Sequence, residues 1–170
     1  MKHVLSALAA AALLAGSCTE GHAAGDTAAV MAATLQRVVA QDNTFGEGHR
    51  FTVLLVLTSL DPAAGTAVPG GEPGRALSAK ERRAIEESLA RWGPPRWIDA
   101  ADEWRTADLM PVVAGSVILG VGEPTFDSRG ALVPFSLWCG GVCGLWATYR
   151  LALQDGEWVV LGIEGGIFIA

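Results

Sequence analysis

The chain has 170 residues, enough for one domain behind a short leader. Eighteen acidic residues against twelve basic ones give a net charge of −6 with no basic cluster, which argues against nucleic acid and against anionic lipid surfaces as partners. His3 and His22 lie in the first stretch of the chain and only His49 lies beyond it, which excludes a multi-histidine metal site and argues against a Ser-His-Asp triad.

Residues 1–17 have the three-part form of an export signal. Lys2 supplies the positive start, residues 4–14 are apolar and mostly Ala and Leu, and small residues lead into Cys18. The apolar run is too short to span a bilayer, which takes about 20 residues. Leu14-Ala15-Gly16-Ser17-Cys18 resembles the lipobox of bacterial lipoproteins, whose cysteine is lipidated at its thiol before cleavage. Ala15 stands where the usual leucine would be, and Leu14 is one step further back. Gly21-His22-Ala23 and His22-Ala23-Ala24 offer ordinary signal peptidase a competing site. Either route puts the protein outside the cytoplasm, as a membrane-anchored lipoprotein of the envelope or as a secreted protein. Its membrane attachment would then be the lipid on Cys18.

Residues 18–27 read as a tether and residues 28–170 as a single domain. A helix is expected over residues 28–41, with Met31, Leu35, Val38 and Val39 on one stripe. Turn formers follow at Asp42-Asn43-Thr44-Phe45-Gly46. Residues 51–60, rich in Val, Leu and Thr and free of charge, predict a central strand covered on both faces. Residues 61–76 are dense in Gly, Pro and Ala, and composition favours disorder there. Ser78 with Glu81 forms a capping box for a second helix, whose apolar side carries Ile85, Leu89 and Trp92. Arg82 with Glu86 and Arg83 with Glu87 are spaced as ion pairs on its solvated side. Gly93-Pro94-Pro95 ends it.

The remainder reads as β structure: residues 96–99, then an acidic loop over 99–115, then strands at 116–121, 131–138, 145–153 and 158–163. Leu145, Ala147, Tyr149, Leu151 and Leu153 alternate with Trp146, Thr148, Arg150, Ala152 and Gln154, the pattern of a half-buried strand. Asp155-Gly156 is a hairpin turn. The expected class is α+β, a curved antiparallel sheet of five to six strands with two helices packed on one face.

Few residues carry chemistry. Cys139 and Cys143 flank a glycine-rich hairpin tip, where a disulfide would pin the register. A redox-active pair ordinarily has two intervening residues and opens a helix. Among the carboxylates near element ends, Asp42 and Asp99 are singled out. An acid just past a helix C-terminus opposes the macrodipole, so Asp42 should have a polar partner. Tryptophans are more often core, and the candidates for exposure and stacking on a ligand are Trp104, within the acidic loop, and Trp138 or Trp146 near the hairpin tip.

The Asp42-Asn43-Thr44-Phe45-Gly46 segment after a helix, the apolar strand, the Leu77-Ser78 helix entry, Arg96-Trp97-Ile98-Asp99 and the Thr148-Tyr149 to Trp158 hairpin together resemble a family of exported bacterial proteins. The resemblance implies no activity and does not extend to Cys139 and Cys143. The leading expectation is a non-catalytic extracytoplasmic module that binds a small molecule or an envelope protein, without metal or cofactor. Two alternatives stand beside it: a small enzyme on a cone-shaped α+β roll with Asp42 or Asp99 as base, and a thiol–disulfide protein using Cys139 and Cys143.

Overall fold

Asp26 opens the first helix, α1 (Thr27–Arg37), by accepting a hydrogen bond from the Ala29 N–H at 3.3 Å. This is the start of the computed structural model, which describes residues 26–66, 68 and 71–170. The leader and Cys18 lie outside the described residues. A single π-helical turn, Val38–Asp42, continues α1 and replaces the last turn of the helix expected there. Val30, Met31, Leu35, Val38 and Val39 are buried, as the apolar stripe requires.

The first strand, β1 (Val53–Leu57), is the parallel centre of the sheet. Its neighbours are β2 (Pro95–Ile98) and β3 (Ser116–Val121), and it pairs parallel with both. Leu54, Leu55 and Val56 are all buried, which matches a strand covered on both faces. Helix α2 (Ala79–Leu89) makes the crossover from β1 to β2. The Ser78–Glu81 capping box forms in both directions. Glu86, expected to pair with Arg82, instead accepts a hydrogen bond from the Trp97 indole N–H.

Beyond β3 the chain runs antiparallel. Strands β4 (Thr125–Asp127), β5 (Gly130–Gly140), β6 (Cys143–Gln154), β7 (Glu157–Ile163) and β8 (Phe168–Ile169) follow by hairpins and short returns. The sheet order is β2-β1-β3-β5-β6-β7, with β4 beside β5 and β8 beside the start of β6. Asp155 and Gly156 both have positive φ, 51° and 86°, the backbone of a type I′ hairpin turn. The α+β class with both helices against the sheet is observed. The sheet is mixed rather than antiparallel throughout. Long crossovers through α2 and through residues 99–115 return the chain to the same sheet end, and apolar patterning carries no strand direction.

Alternate residues of each strand build two unequal layers. Leu119, Phe135, Leu137, Tyr149 and Leu151 face the helices and form the main core with Met31, Leu35, Ile85 and Leu89. Leu55, Ile98, Ile118 and Trp138 face the other way, where Trp104 and Trp146 pack on them. The six tryptophans divide evenly between the layers: Trp92, Trp97 and Trp158 against the helix-side core, and Trp104, Trp138 and Trp146 on the second face.

The second face is covered by segments that the sequence read as structureless or loop. Asp61 N–H donates to the Val121 carbonyl at 2.9 Å, Gly65 N–H to Phe135 at 3.1 Å and Gly74 N–H to Leu60 at 3.0 Å. Arg75 binds both Glu81 and Glu123. The start of the 61–76 segment is thus bonded to the sheet, Asp61 to β3 and Gly65 to β5, and Gly74 and Arg75 are bonded back to Leu60 and to Glu81 and Glu123. Within the 99–115 loop, a 3-10 turn at Asp102–Trp104 and a bridge between Arg105 and Pro111 fold the chain back over the face.

Candidate functional site

The second face of the sheet carries a cavity of about 480 Å³, within the range of roughly 300–1,000 Å³ common to small-molecule sites. Its floor is made by Leu57 of β1, Ile118 of β3, Ser136 and Trp138 of β5 and Trp146 of β6. Strand alternation puts these side chains on one face, since successive residues of a strand point to opposite sides. One wall is the segment after β1, with Asp61, Pro62 and Ala63. The other is Asp99–Asp102 with Arg105 and Leu109, and Gly141 and Ala170 close the hairpin end.

Asp61 is the anionic centre of the site. Its Oδ1 accepts from the Ala63 N–H at 2.9 Å and its Oδ2 accepts from the buried Ser136 hydroxyl. Gly120 of β3 makes room for this pair: a Cβ there would lie 2.5 Å from both Asp61 Oδ2 and Ser136 Oγ. Among the described residues Asp61 is in no ion pair.

The aromatic part is held by arginine and glycine. The Arg105 guanidinium lies 4.5 Å over the Trp138 ring, and its Nη1 is 3.2 Å from Asp102 Oδ1. The Arg105 Nε is buried with no hydrogen-bond partner among the described residues, so stacking and the single ion pair fix this side chain. The Trp146 indole lies against Gly144, where a Cβ would collide with the ring. Trp104 stands behind this wall with Arg96 4.4 Å over its ring.

The structure brings together Asp99, Trp138 and Trp146 of the residues singled out in the sequence. Asp99 is exposed at the rim and accepts from the Thr58 hydroxyl at 2.8 Å. Trp104 is half-buried beside the cavity. Trp138, one of the two hairpin-tip candidates for exposure, is only 8% exposed, because its alternation onto the second face carries it beneath Arg105.

Asp42 lies on the helix side. Tyr149 donates its hydroxyl to Asp42 Oδ2 at 2.5 Å, and Arg37 Nε donates to the same oxygen at 2.9 Å. These are the polar partners its place at a helix end demanded. Burial, reinforced by the Asp42 carboxylate, pushes the Tyr149 phenol far above its ordinary range. Cys139 and Cys143 form a disulfide with Cα atoms 5.1 Å apart. Cys139 is packed into the helix-side core, and the Thr44 hydroxyl lies 3.4 Å from Cys143 Sγ.

Asp61, Ser136, Arg105 and Gly120 escaped the sequence reading. Two signals pointed to them. Asp61-Pro62 is a turn initiator directly after the central strand. Ser136 is a hydroxyl in the middle of an apolar strand, and a buried hydroxyl needs a partner.

Among the described residues, no group of three or more His, Cys, Asp or Glu side chains is arranged to hold a metal ion, and no helix is long and apolar enough to cross a membrane. No family model matches the chain, and comparison with curated proteins and with solved structures finds no significant match.

Proposed function

We propose that this chain is a non-catalytic extracytoplasmic module that binds a small molecule on the second face of its sheet. The observation that carries the reading is the cavity itself, with two indoles and aliphatic side chains around a fixed carboxylate–hydroxyl pair. Convergent polar groups in a mainly apolar concavity are the usual make-up of a ligand site. The site lies on residues from β1, β3, β5 and β6, so the sheet holds its floor rigid.

Two other readings have less support. An enzyme with Asp99 as base would use a carboxylate that is exposed at the cavity rim and held by the Thr58 hydroxyl, not a buried one. Asp42 is committed to Tyr149 and Arg37 on the opposite face. In a thiol–disulfide protein Cys143, half-buried, would be the accessible sulfur, but the pair spans a hairpin tip with three intervening residues and does not open a helix as redox pairs ordinarily do.

Extracytoplasmic placement rests on the signal-like leader and on a disulfide, which persists in oxidising compartments. Incorporation of labelled fatty acid that is lost in Cys18→Ser would establish the lipoprotein route. A mature N-terminus at Ala24 or Gly25 without label would instead establish ordinary secretion.

Binding is tested by thermal shift of the purified protein against a chemically diverse metabolite panel. A compound at a hundred times its Kd stabilises by about 2.7 kcal/mol, which raises Tm by several degrees. The same compound should raise Tm less in Trp146→Ala. A panel without effect, or equal shifts in both proteins, would overturn the reading.

A further inference from the structure

We propose that the cavity takes an organic cation, an ammonium group on a compact apolar body, with Asp61 as its counter-charge. This inference rests on the reading of the cavity as a ligand site and names the class of ligand.

Four charged side chains border the cavity: Asp61, Asp99, Asp102 and Arg105. The single cation among them, Arg105, stacks on Trp138 and sets its Nη1 against Asp102, its Nε being without a hydrogen-bond partner among the described residues. Asp99, out at the rim, is held by Thr58. Asp61 and Asp99 are both without a countercharge among the described residues, and Asp61 is the half-buried one of the two. Both of its hydrogen bonds come from neutral donors, an amide N–H and a hydroxyl, so they orient the carboxylate without cancelling its charge. A half-buried carboxylate with that environment favours a cation beside it. An anionic ligand would meet three carboxylates at the cavity's border against the single cation of Arg105.

The indoles point the same way. Arginines lie over Trp92, Trp97, Trp104 and Trp138, at 4.6, 6.0, 4.4 and 4.5 Å from the ring centroids. Trp146 borders the cavity, and among the described residues no arginine or lysine is stacked on it. Its ring, bordering the cavity, is a candidate π-system for a ligand cation, an attraction that strengthens as water is excluded. The surrounding field has the same sign: the loop over the cavity carries Asp99, Asp102, Glu103 and Asp108 against Arg105, in a chain of net charge −6.

The test uses three probes of matched shape and different charge: benzyltrimethylammonium, benzyl methyl sulfone and benzylsulfonate. Each is titrated calorimetrically into the purified protein at low and at high salt. The ammonium should bind at least about tenfold more tightly than either other probe, with affinity falling as salt rises. Asp61→Asn, which keeps an acceptor for Ala63, should bring the ammonium and the sulfone to within about threefold. Trp146→Ala should weaken the ammonium independently of Asp61. Glu157→Gln, an equal charge change on β7, should leave the preference intact. Equal or tighter binding of the sulfone or sulfonate would overturn the cation assignment while upholding the cavity as a ligand site. A preference that survives Asp61→Asn would overturn the role of Asp61. No binding by any of the three to folded protein would overturn the proposal, and the metabolite panel would then decide separately whether the cavity binds at all.

Discussion

Replacing Cys139 and Cys143 together by serine removes a bridge that closes a very short loop, the two residues being four apart in sequence. In the chain-entropy account, a loop of about five residues confers roughly 2 kcal/mol by restricting the unfolded chain. Serine adds little further cost here. The Cys143 carbonyl lies 3.2 Å from Cys139 Sγ and the Thr44 hydroxyl lies 3.4 Å from Cys143 Sγ, so both new hydroxyls have partners. For a domain of about 145 residues, 2 kcal/mol corresponds to a fall in Tm of about 4–8 °C. The assay is thermal unfolding followed by circular dichroism, with and without reductant. The double mutant should melt at the same temperature in both buffers and coincide with reduced wild type. Thiol titration of the denatured, non-reduced protein should find no free thiol from this pair. Two free thiols from it, or a double mutant as stable as oxidised wild type, would refute the reasoning. The bridge also fixes the tip between Trp138 and Trp146, so its loss should loosen the hairpin end of the cavity.

Tyr149 is the sole tyrosine of the chain, so an ultraviolet absorbance titration reads it alone. Its raised folded-state pKa means that the folded protein keeps a proton the unfolded chain releases above about pH 10; this stabilisation is full below that pH and is lost as pH rises beyond it. Tyrosinate should appear only with unfolding, and Tyr149→Phe should remove this part of the alkaline loss; titration of folded wild type near pH 10 would count against it. Glu81 is held down to about 2, first by its hydrogen bonds from Arg75, so its contribution is present above about pH 4.3 and fades as pH falls toward 2. The stability gap between wild type and Glu81→Gln, about 1–2 kcal/mol at neutral pH, should therefore shrink over that interval in denaturant titrations. Gly120→Ala forces a methyl group against Asp61 and Ser136 and should cost about 1–3 kcal/mol, with ligand affinity falling as the pair separates; an unperturbed Tm would contradict the packing.

Local chemistry was legible in the sequence wherever one stretch of chain supplied all the partners. The Ser78–Glu81 box, the Asp155-Gly156 turn, the alternation of Leu145, Ala147, Tyr149 and Leu151, and the Cys139–Cys143 bridge each fall within a few residues. Strand direction was not legible, because apolar content marks β1 and β3 as buried strands without saying which way they run. The heart of the cavity was hidden for a different reason. Asp61 and Ser136 are 75 residues apart, and their meeting depends on Gly120 in a third segment. Nothing periodic marks residues 61–66 or 99–109, since these segments cover the sheet through backbone hydrogen bonds and single side chains. Asp99, Trp104, Trp138 and Trp146 were recognisable as unusual residues, but only the mixed sheet shows that they share one face while Asp42 lies on the other.

The even division of the tryptophans gives the most direct test of ligand binding on the second face. The six indole N–H groups give separate signals in a proton–nitrogen correlation spectrum, assignable by single Trp→Phe replacements. Benzyltrimethylammonium, or any compound that raises Tm, is added stepwise to the labelled protein. The account predicts saturable shifts for Trp138 and Trp146, a smaller one for Trp104, and fixed positions for Trp92, Trp97 and Trp158. Saturable shifts confined to Trp92, Trp97 and Trp158, or no shift at Trp138 and Trp146 when a ligand is bound, would contradict it.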